Sequence, residues 1–283
     1  MHSSIKPLEH LRSSETNGLI LTEFAQPASF KVPKHFHECA TVLFTIRGFA
    51  ADSIAGRVRE CKPSSILIRP AGEVHTHHYG RQGLHGLVIE IKPHRLQQLR
   101  VFSSILDQVG LFDDCLSSDL GMRLYLESRI RDSASALAIE GLLMEMLALA
   151  VRQNAQYYIS STRPHWLRQA RDFIEASYTG SLSLSQVALT VGVHPAHLAE
   201  MFRKHYGCTV GQYIRQLRLD HAAREVMLSN RSMAEISVAA GFYDQSHFTR
   251  LFKRRTGRSP AAMRVLSRTP KAHAKSLELS KLD

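Results

Sequence analysis

Cysteine is scarce in this sequence of 283 residues, and there is a single tryptophan. The four cysteines have neither a CxxC pair nor a regular spacing, which excludes a disulfide framework and a cysteine zinc site and favours a reducing compartment. They are Cys39, Cys61, Cys115 and Cys208. No apolar run reaches the roughly 18 residues that a membrane span needs, and the N-terminus lacks the basic-then-apolar pattern of a signal peptide. We therefore expect a soluble, cytoplasmic protein.

Several enzyme motifs are absent from the sequence as well. It contains no G-x-S-x-G, Walker A or G-x-G-x-x-G pattern, which would support hydrolase, nucleotide-dependent or dinucleotide chemistry. We expect a protein that is not an enzyme and needs no cofactor.

Acidic residues are too few to balance the basic ones. The chain has 36 Lys and Arg against 25 Asp and Glu, a net charge of +11. The surplus lies near the C-terminus, because residues 164–268 carry 15 basic against 7 acidic residues, whereas residues 1–163 carry 18 against 16. Lys and Arg release counterions from phosphates, so this charge favours nucleic acid or an anionic membrane surface as partner. Charge alone does not choose between them.

The first half of the chain changes its pattern near Pro93. Before it, short apolar runs broken by Gly and Pro predict several strands in a small barrel or sandwich. After it, helical spacing without internal proline predicts two or three helices. Residues 137–151 are apolar around most of the helix circumference, so either a second copy of the chain or packing within the chain covers them. A homodimer and intrachain packing both remain open.

The strongest signal is an internal repeat in the last third of the chain, which we sought before single motifs. The residues around His197, Phe202 and Gly207 recur at a constant offset around His247, Phe252 and Gly257. Each copy has a short helix, a turn glycine and a second helix, which is the helix-turn-helix plan. The second helices are predicted over Pro195 to Tyr206 and Gln245 to Thr256. Leu198, Phe202, Phe248 and Phe252 are expected to face the core.

Three helix starts are marked by capping boxes, in which a Ser or Thr and the Glu or Gln three residues later satisfy each other's backbone N–H. The pairs are Ser183 with Gln186, Thr209 with Gln212 and Ser232 with Glu235. The segment from Thr209 to Leu228 predicts a connecting helix of about 30 Å at ~1.5 Å per residue. This length approaches the ~34 Å between successive major grooves on one face of DNA.

The segment from Trp166 to Leu266 resembles the DNA-binding domain of the AraC/XylS family of bacterial transcription regulators. The most specific part is GFYDQSHFTRLFKRRTGRSPAAMR, from Gly241 to Arg264. Ser237 departs from the family pattern, which usually has Ala, and Ala240 stands where a larger apolar residue is common. The resemblance implies sequence-specific binding of double-stranded DNA at a promoter, usually as an activator that contacts RNA polymerase.

The resemblance also assigns the residues that contact DNA. The candidate DNA-binding residues are Ala196, His197, Ala199, Glu200, Arg203, Lys204, Gln245, Ser246, His247, Thr249, Arg250, Lys253 and Arg254. Arg250 is the first choice for a base contact, because a guanidinium binds guanine O6 and N7 bidentately. Five basic residues are expected to hold phosphates, and they are Arg203, Lys204, Lys253, Arg254 and Arg255. Glu200 is either a cytosine acceptor or a solvated charge, and the two histidines are either DNA contacts or structural.

The N-terminal region looks like a cupin barrel, which regulators of this family commonly carry as a sensor. PAGEVH, ending at His75, matches the second cupin motif, and His35 with His37 supplies part of the first. The resemblance implies a small-molecule effector, and the candidate effector-binding residues are His35, His37, Arg69 and His75. These histidines could converge on a divalent metal. Because the glutamate of the first motif is missing, we expect no metal.

The expected fold class is α+β. Its parts are a cupin-like sensor barrel over residues 1–93, a helical dimerisation or packing segment over 94–153, a linker over 154–164, an all-α domain of two helix-turn-helix motifs joined by a linker helix over 165–267, and a disordered tail over 268–283. The expected function is a DNA-binding transcription regulator that responds to an effector. A cupin metalloenzyme with an accessory helical domain, and a DNA binder whose barrel only dimerises, are the alternatives.

Overall fold

A computed structural model describes residues 9–130, 132–157 and 164–268 of the chain. Most of the predicted linker and nearly all of the predicted tail lie outside these residues. The helix that precedes the linker ends at Tyr157, so the first four residues of the predicted linker are helical.

The N-terminal domain is one antiparallel sheet of eight strands, followed by helices. The strands are β1 (Glu9–Thr16), β2 (Leu19–Gln26), β3 (Lys31–His35), β4 (Ala40–Ile54), β5 (Arg57–Cys61), β6 (Ile66–Arg69), β7 (His75–Ile91) and β8 (Gly110–Phe112). Their order is β1-β2-β7-β4-β6-β8, with β3 on β7 and β5 on β4. The predicted barrel corresponds to this sheet, which β8 extends beyond Pro93.

Two long strands, β4 and β7, organise the sheet. Each pairs with one neighbour along its first half and another along its second half, and the register between them shifts around Gly48. Gly48 has φ +87°, and a Cβ there would lie 2.0 Å from the carbonyl oxygen of Gly83. Only glycine allows this approach of the two backbones.

The described residues also form ten α-helices. They are α1 (Pro93–Arg100), α2 (Cys115–Glu127), α3 (Ser135–Tyr157), α4 (His165–Ser177), α5 (Leu184–Thr190), α6 (Pro195–Tyr206), α7 (Val210–Leu228), α8 (Met233–Ala239), α9 (Gln245–Thr256) and α10 (Pro260–Arg268). The three helices α1 to α3 confirm the helical segment expected after Pro93. All three predicted capping boxes are formed, at the starts of α5, α7 and α8.

Helix α3 is covered mainly within the chain. Its buried residues, among them Leu143 and Met146, belong to the core that the sheet and α2 share. A stripe remains exposed along the opposite side. The small and apolar members of this stripe are Leu137, Gly141, Ala148 and Val151.

Helix α7 joins two hydrophobic cores. One core is formed by α4, α5, α6 and the start of α7. The other runs from the sheet through α2 and α3 to the later residues of α7 and on to α8, α9 and α10. The second helix-turn-helix unit therefore packs into a core that is continuous with the N-terminal domain.

Candidate DNA interface and ligand pocket

Helices α6 and α9 are built alike and occupy the residues that the repeat predicts. Each begins at a capping side chain, His194 or Asp244, which accepts a hydrogen bond from a backbone N–H of the first turn. Each ends at a glycine, Gly207 or Gly257, in the left-handed conformation that closes a helix. Local signals of this kind explain why the bounds of both helices agree with the sequence prediction.

The inner face of each helix holds it in its unit. Leu198, Phe202 and Phe248 are fully buried and Phe252 is nearly so, which confirms the expected core residues. Ser237, the departure from the family pattern, is also buried, and its hydroxyl donates to the carbonyl oxygen of Ala234 at 2.8 Å. The polar side chain is therefore accommodated without an unpaired group.

The outer faces of α6 and α9 carry the candidate DNA-binding residues. Ten of these residues are exposed, and they are Ala196, His197, Glu200, Arg203, Lys204, Gln245, Ser246, Arg250, Lys253 and Arg254. Ala199, His247 and Thr249 are half-buried. Six of the exposed residues lie within the first six positions of α6 or α9. The N-terminal part of a recognition helix is the part that contacts bases.

The two equivalent histidines each lie against an aromatic ring. The ring centroids of His197 and Trp166 are 5.3 Å apart, and those of His247 and Phe242 are 5.9 Å apart. Both rings therefore have a packing role in their helix-turn-helix unit, and a role at the DNA remains a prediction.

Arg255 is placed away from this outer face, although it was expected to hold phosphate. Its guanidinium is buried and pairs with Asp119 of α2 at 2.8 Å and with Asp220 of α7 at 2.7 Å. These ion pairs could not be predicted from the sequence, because the two partners lie 136 and 35 positions away along the chain. Tyr243, which sequence reasoning passed over, is 94% exposed directly before the cap of α9. In the sequence, the signal for Tyr243 was its position at the start of a predicted recognition helix.

The N-terminal domain brings four histidines together: His35, His37, His75 and His77. Their nearest ring nitrogens all lie within 4.8 Å of one another. His35 ends β3 and lies opposite His75 of β7 in the strand register, while His77 follows two residues later on the same face of β7. His37 reaches the group from the turn before β4. The structure thus joins three of the four candidate effector residues, and adds His77, which sequence reasoning missed although His75-Thr76-His77 repeats the H-x-H spacing.

Asp52 and Arg69, both buried, lie beside His77. The Nδ1 atom of His77 is 2.5 Å from Asp52 Oδ1, and Arg69 Nη1 is 3.1 Å from Asp52 Oδ2 and 3.2 Å from His77 Nε2. Arg69 Nε also donates to the hydroxyl of Thr41 at 3.2 Å. Arg69, the fourth candidate effector residue, is therefore at the same place, and the carboxylate of Asp52 compensates its charge.

The electrostatics of the cluster favour the neutral form of three of its imidazoles, those of His37, His75 and His77. Burial, with the charge of Arg69, lowers the pKa of His37 to about 4 and that of His75 to about 3. Burial also lowers the pKa of His77, although the carboxylate of Asp52 opposes it. For Asp52, burial favours the neutral acid, but the hydrogen bond and charge of His77 and the charge of Arg69 outweigh it, so the pKa is lowered. At neutral pH the rings of His37, His75 and His77 therefore each keep one nitrogen lone pair.

Two units of helix-turn-helix geometry, with basic outer faces, and an N-terminal sheet domain that holds a cluster of histidines define a class of protein: a DNA-binding transcription regulator with a ligand-binding domain. Residues 167–265 match the family model of a helix-turn-helix domain, and residues 17–160 match that of the AraC-like ligand binding domain. The chain belongs to the AraC family of transcription regulators.

Two relatives and one solved structure show what the chain is similar to. The arabinose operon regulatory protein of Salmonella typhimurium is 28% identical over 235 residues, which are 78% of this chain and 82% of that protein. The bifunctional transcriptional activator/DNA repair enzyme AdaA of Bacillus subtilis is 29% identical over 103 residues, 36% of this chain and 49% of AdaA, so this chain spans about half of that relative. The solved structure of an AraC-type transcriptional regulator from Chromobacterium violaceum is 27% identical, covering 37% of this chain and 94% of that one, with a TM-score of 0.35.

These relatives are mainly transcription regulators, which agrees with the expectation of a non-enzymatic protein. Within the described residues, no helix is both long and apolar enough to cross a bilayer.

Proposed function

We propose that the chain is a transcription activator that reads two adjacent major grooves of promoter DNA with α6 and α9. The observation that carries this proposal is the pair of like-built helices with exposed N-terminal ends, held on one connecting helix. Helix α7 has 19 residues, or about 28 Å at 1.5 Å per residue. This length suits two helices that enter successive grooves on one face of the duplex.

Helices α6 and α9 differ in the side chains that they offer to base edges. Gln245 and Arg250 present amide and guanidinium groups, which pair with adenine and guanine edges respectively. In α6, Ala196 and Ala199 offer only methyl contacts, which suit a thymine methyl, and Glu200 is an acceptor for cytosine N4. The second helix therefore supplies most of the sequence choice.

The remaining basic residues of both outer faces bind phosphates. They are Arg203, Lys204, Lys253 and Arg254. Each phosphate contact releases a counterion, so these residues set the affinity and its dependence on salt more than the preferred sequence.

The effector binds at the polar cluster of the N-terminal domain, at His35, His37, Arg69 and His75. The convergence of these four residues inside one domain supports this assignment, since polar groups that meet in a buried site usually orient a ligand. Binding of the effector changes the position of the second DNA-binding unit, because the core of that unit continues into the N-terminal domain.

As an activator, the protein contacts RNA polymerase and acts as a homodimer. AdaA, the relative named above as a transcriptional activator, supports activation. The exposed stripe on α3, with Leu137, Gly141, Ala148 and Val151, is the surface we assign to the dimer.

Selection of bound sequences from random duplex DNA by the full-length protein tests the proposal. We expect a site with two half-sites about 10 bp apart, centre to centre. The variant carrying Gln245→Ala and Arg250→Ala should lose the preference at one half-site only. A wild-type protein without sequence preference at physiological salt would contradict the proposal. Genome-wide mapping of binding, with transcript levels, then separates activation from repression.

A further inference from the structure

The histidine cluster of the N-terminal domain has a donor set that is typical of a metal site. His35, His37, His75 and His77 contribute four imidazoles from two strands and a turn. The ring centroids of His35 and His75 are 4.3 Å apart, and those of the other pairs among His35, His37, His75 and His77 that are in ring contact lie between 4.7 and 5.2 Å. The missing glutamate of the first cupin motif led to the expectation of no metal, and His77 supplies a fourth ligand in its place.

The second nitrogen of three rings is already held by a hydrogen bond. Nδ1 of His35 is 2.9 Å from the carbonyl oxygen of Pro33, and Nδ1 of His75 is 2.8 Å from that of Glu73. Nδ1 of His77 faces Asp52. Because a carbonyl or carboxylate accepts the proton of Nδ1, the lone pair of each ring is on Nε2. Backbone carbonyls and carboxylates hold the outer nitrogen of metal-binding histidines in this way.

One candidate ligand atom makes no hydrogen bond within the described residues. Nε2 of His75 is buried and has no hydrogen-bond partner among the described residues. A buried acceptor without a partner costs folding free energy, so such an atom in a native structure calls for an explanation. A bound cation accepts its lone pair.

The spacing of the four nitrogens suits a single ion. Two nitrogens bound to one ion at about 2.0–2.1 Å lie at most about 4.2 Å apart. All four nitrogens lie within 4.8 Å of one another, so rotations of the side chains bring them to the separations that one ion needs. Nε2 of His77 must exchange its contact with Arg69 for the ion, while Arg69 retains Asp52 and Thr41 as partners. Asp52 compensates the charge of Arg69 next to the ion.

We propose that His35, His37, His75 and His77 bind one divalent first-row transition-metal ion. Imidazole suits zinc, nickel, cobalt and copper, whereas Mg²⁺ and Ca²⁺ require oxygen ligands. The inference deepens the proposed function, since it concerns the cluster that is assigned there to the effector, and its regulatory meaning depends on that assignment.

Titration of the metal-free, full-length protein with Co²⁺ tests the site directly. We expect one equivalent of Co²⁺ to produce visible d–d absorption with nitrogen ligands, and Zn²⁺ to abolish it by displacement. His75→Gln and His37→Gln should each weaken Co²⁺ binding by more than about tenfold. His37 is the less buried of the two, so its variant keeps the test valid if His75→Gln fails to fold.

His78→Gln is the matched control. His78 is exposed on the same strand and points to the opposite face from its neighbour His77. This variant should bind Co²⁺ as the wild type does. Absence of stoichiometric binding in folded wild-type protein, or equal loss in His78→Gln and His37→Gln, would overturn the metal site.

DNA binding is measured separately on the selected site, with and without one equivalent of Zn²⁺. We expect Zn²⁺ to change the affinity of the wild type at least about threefold and to leave that of His37→Gln unchanged. DNA binding without any metal binding would sink this inference and leave the proposed function intact. Metal binding without sequence preference for DNA would contradict the proposed function and leave the metal site intact.

Discussion

Arg255 of α9 and Asp119 of α2 form an ion pair of 2.8 Å that joins the second reading helix to the N-terminal domain. The same guanidinium pairs with Asp220, a fully buried carboxylate that also accepts hydrogen bonds from Ser64 and Ser118. Residues from the sheet domain, from α2, from α7 and from α9 thus meet at one buried carboxylate. This network is a polar link between the ligand-binding domain and α9, one of the two helices that we propose to read DNA.

Asp220→Asn should lower the free energy of unfolding by about 3 kcal/mol, because it removes one charge from a buried pair and leaves the guanidinium of Arg255 undercompensated. Denaturation by urea measures the change. Asp107→Asn is the control, since Asp107 pairs with Arg100 at the exposed surface and its loss should cost less than about 1 kcal/mol. An equal loss of unfolding free energy in both variants would show that the buried network does not stabilise the contact between the N-terminal domain and α9.

Arg250→Ala should weaken binding to the selected DNA site by about 1–3 kcal/mol and relax the preference at one base pair. The reason is that a bidentate contact to guanine is lost while the phosphate contacts remain. Fluorescence anisotropy with the preferred site and its single-base variants measures both effects.

Lys253→Ala provides the comparison for Arg250→Ala. It should weaken binding to all sequences alike and reduce the slope of log affinity against log salt by about 1. If Arg250→Ala also weakens every sequence equally, Arg250 contacts the backbone and is not a base reader.

Ser232→Ala should destabilise the protein by about 1 kcal/mol, because the hydroxyl of Ser232 caps α8 by accepting from the backbone N–H of Glu235. Thermal or urea unfolding measures this loss. Ser246→Ala, an exposed position within α9, should stay within about 0.5 kcal/mol of wild type. A Ser232→Ala protein as stable as wild type would mean that the cap contributes nothing.

Leu137→Glu should shift the protein from dimer to monomer, because it places a charge in the exposed stripe of α3 that we assign to the dimer. Leu137 is 78% exposed within one chain, so the substitution should leave the fold of the monomer intact. Analytical ultracentrifugation at micromolar concentration measures the mass. A wild-type protein that is already monomeric there would rule out the dimer.

The helical third of the chain could be predicted closely from the sequence, and the sheet only in outline. The bounds of α6 and α9 follow from a capping residue at one end and a glycine at the other, which are signals within a few positions. In the N-terminal domain the strands were expected, but β8 and the register of β4 against β7 were not. Register depends on pairing between strands far apart in the chain, and a short sequence pattern does not specify the partner.

The candidate sites divide in the same way. The exposure of the residues that we propose to read DNA was predictable, because a repeat on a helix determines which side chains point outward. The meeting of His77 with Asp52, 25 positions apart, and of Arg255 with Asp119, 136 positions apart, was decided only by the tertiary structure. Local sequence determined the helices, their caps and their basic faces through interactions within a turn or two. Strand register and domain packing determined which buried charges and imidazoles share a site, since those contacts join residues that no local interaction brings together.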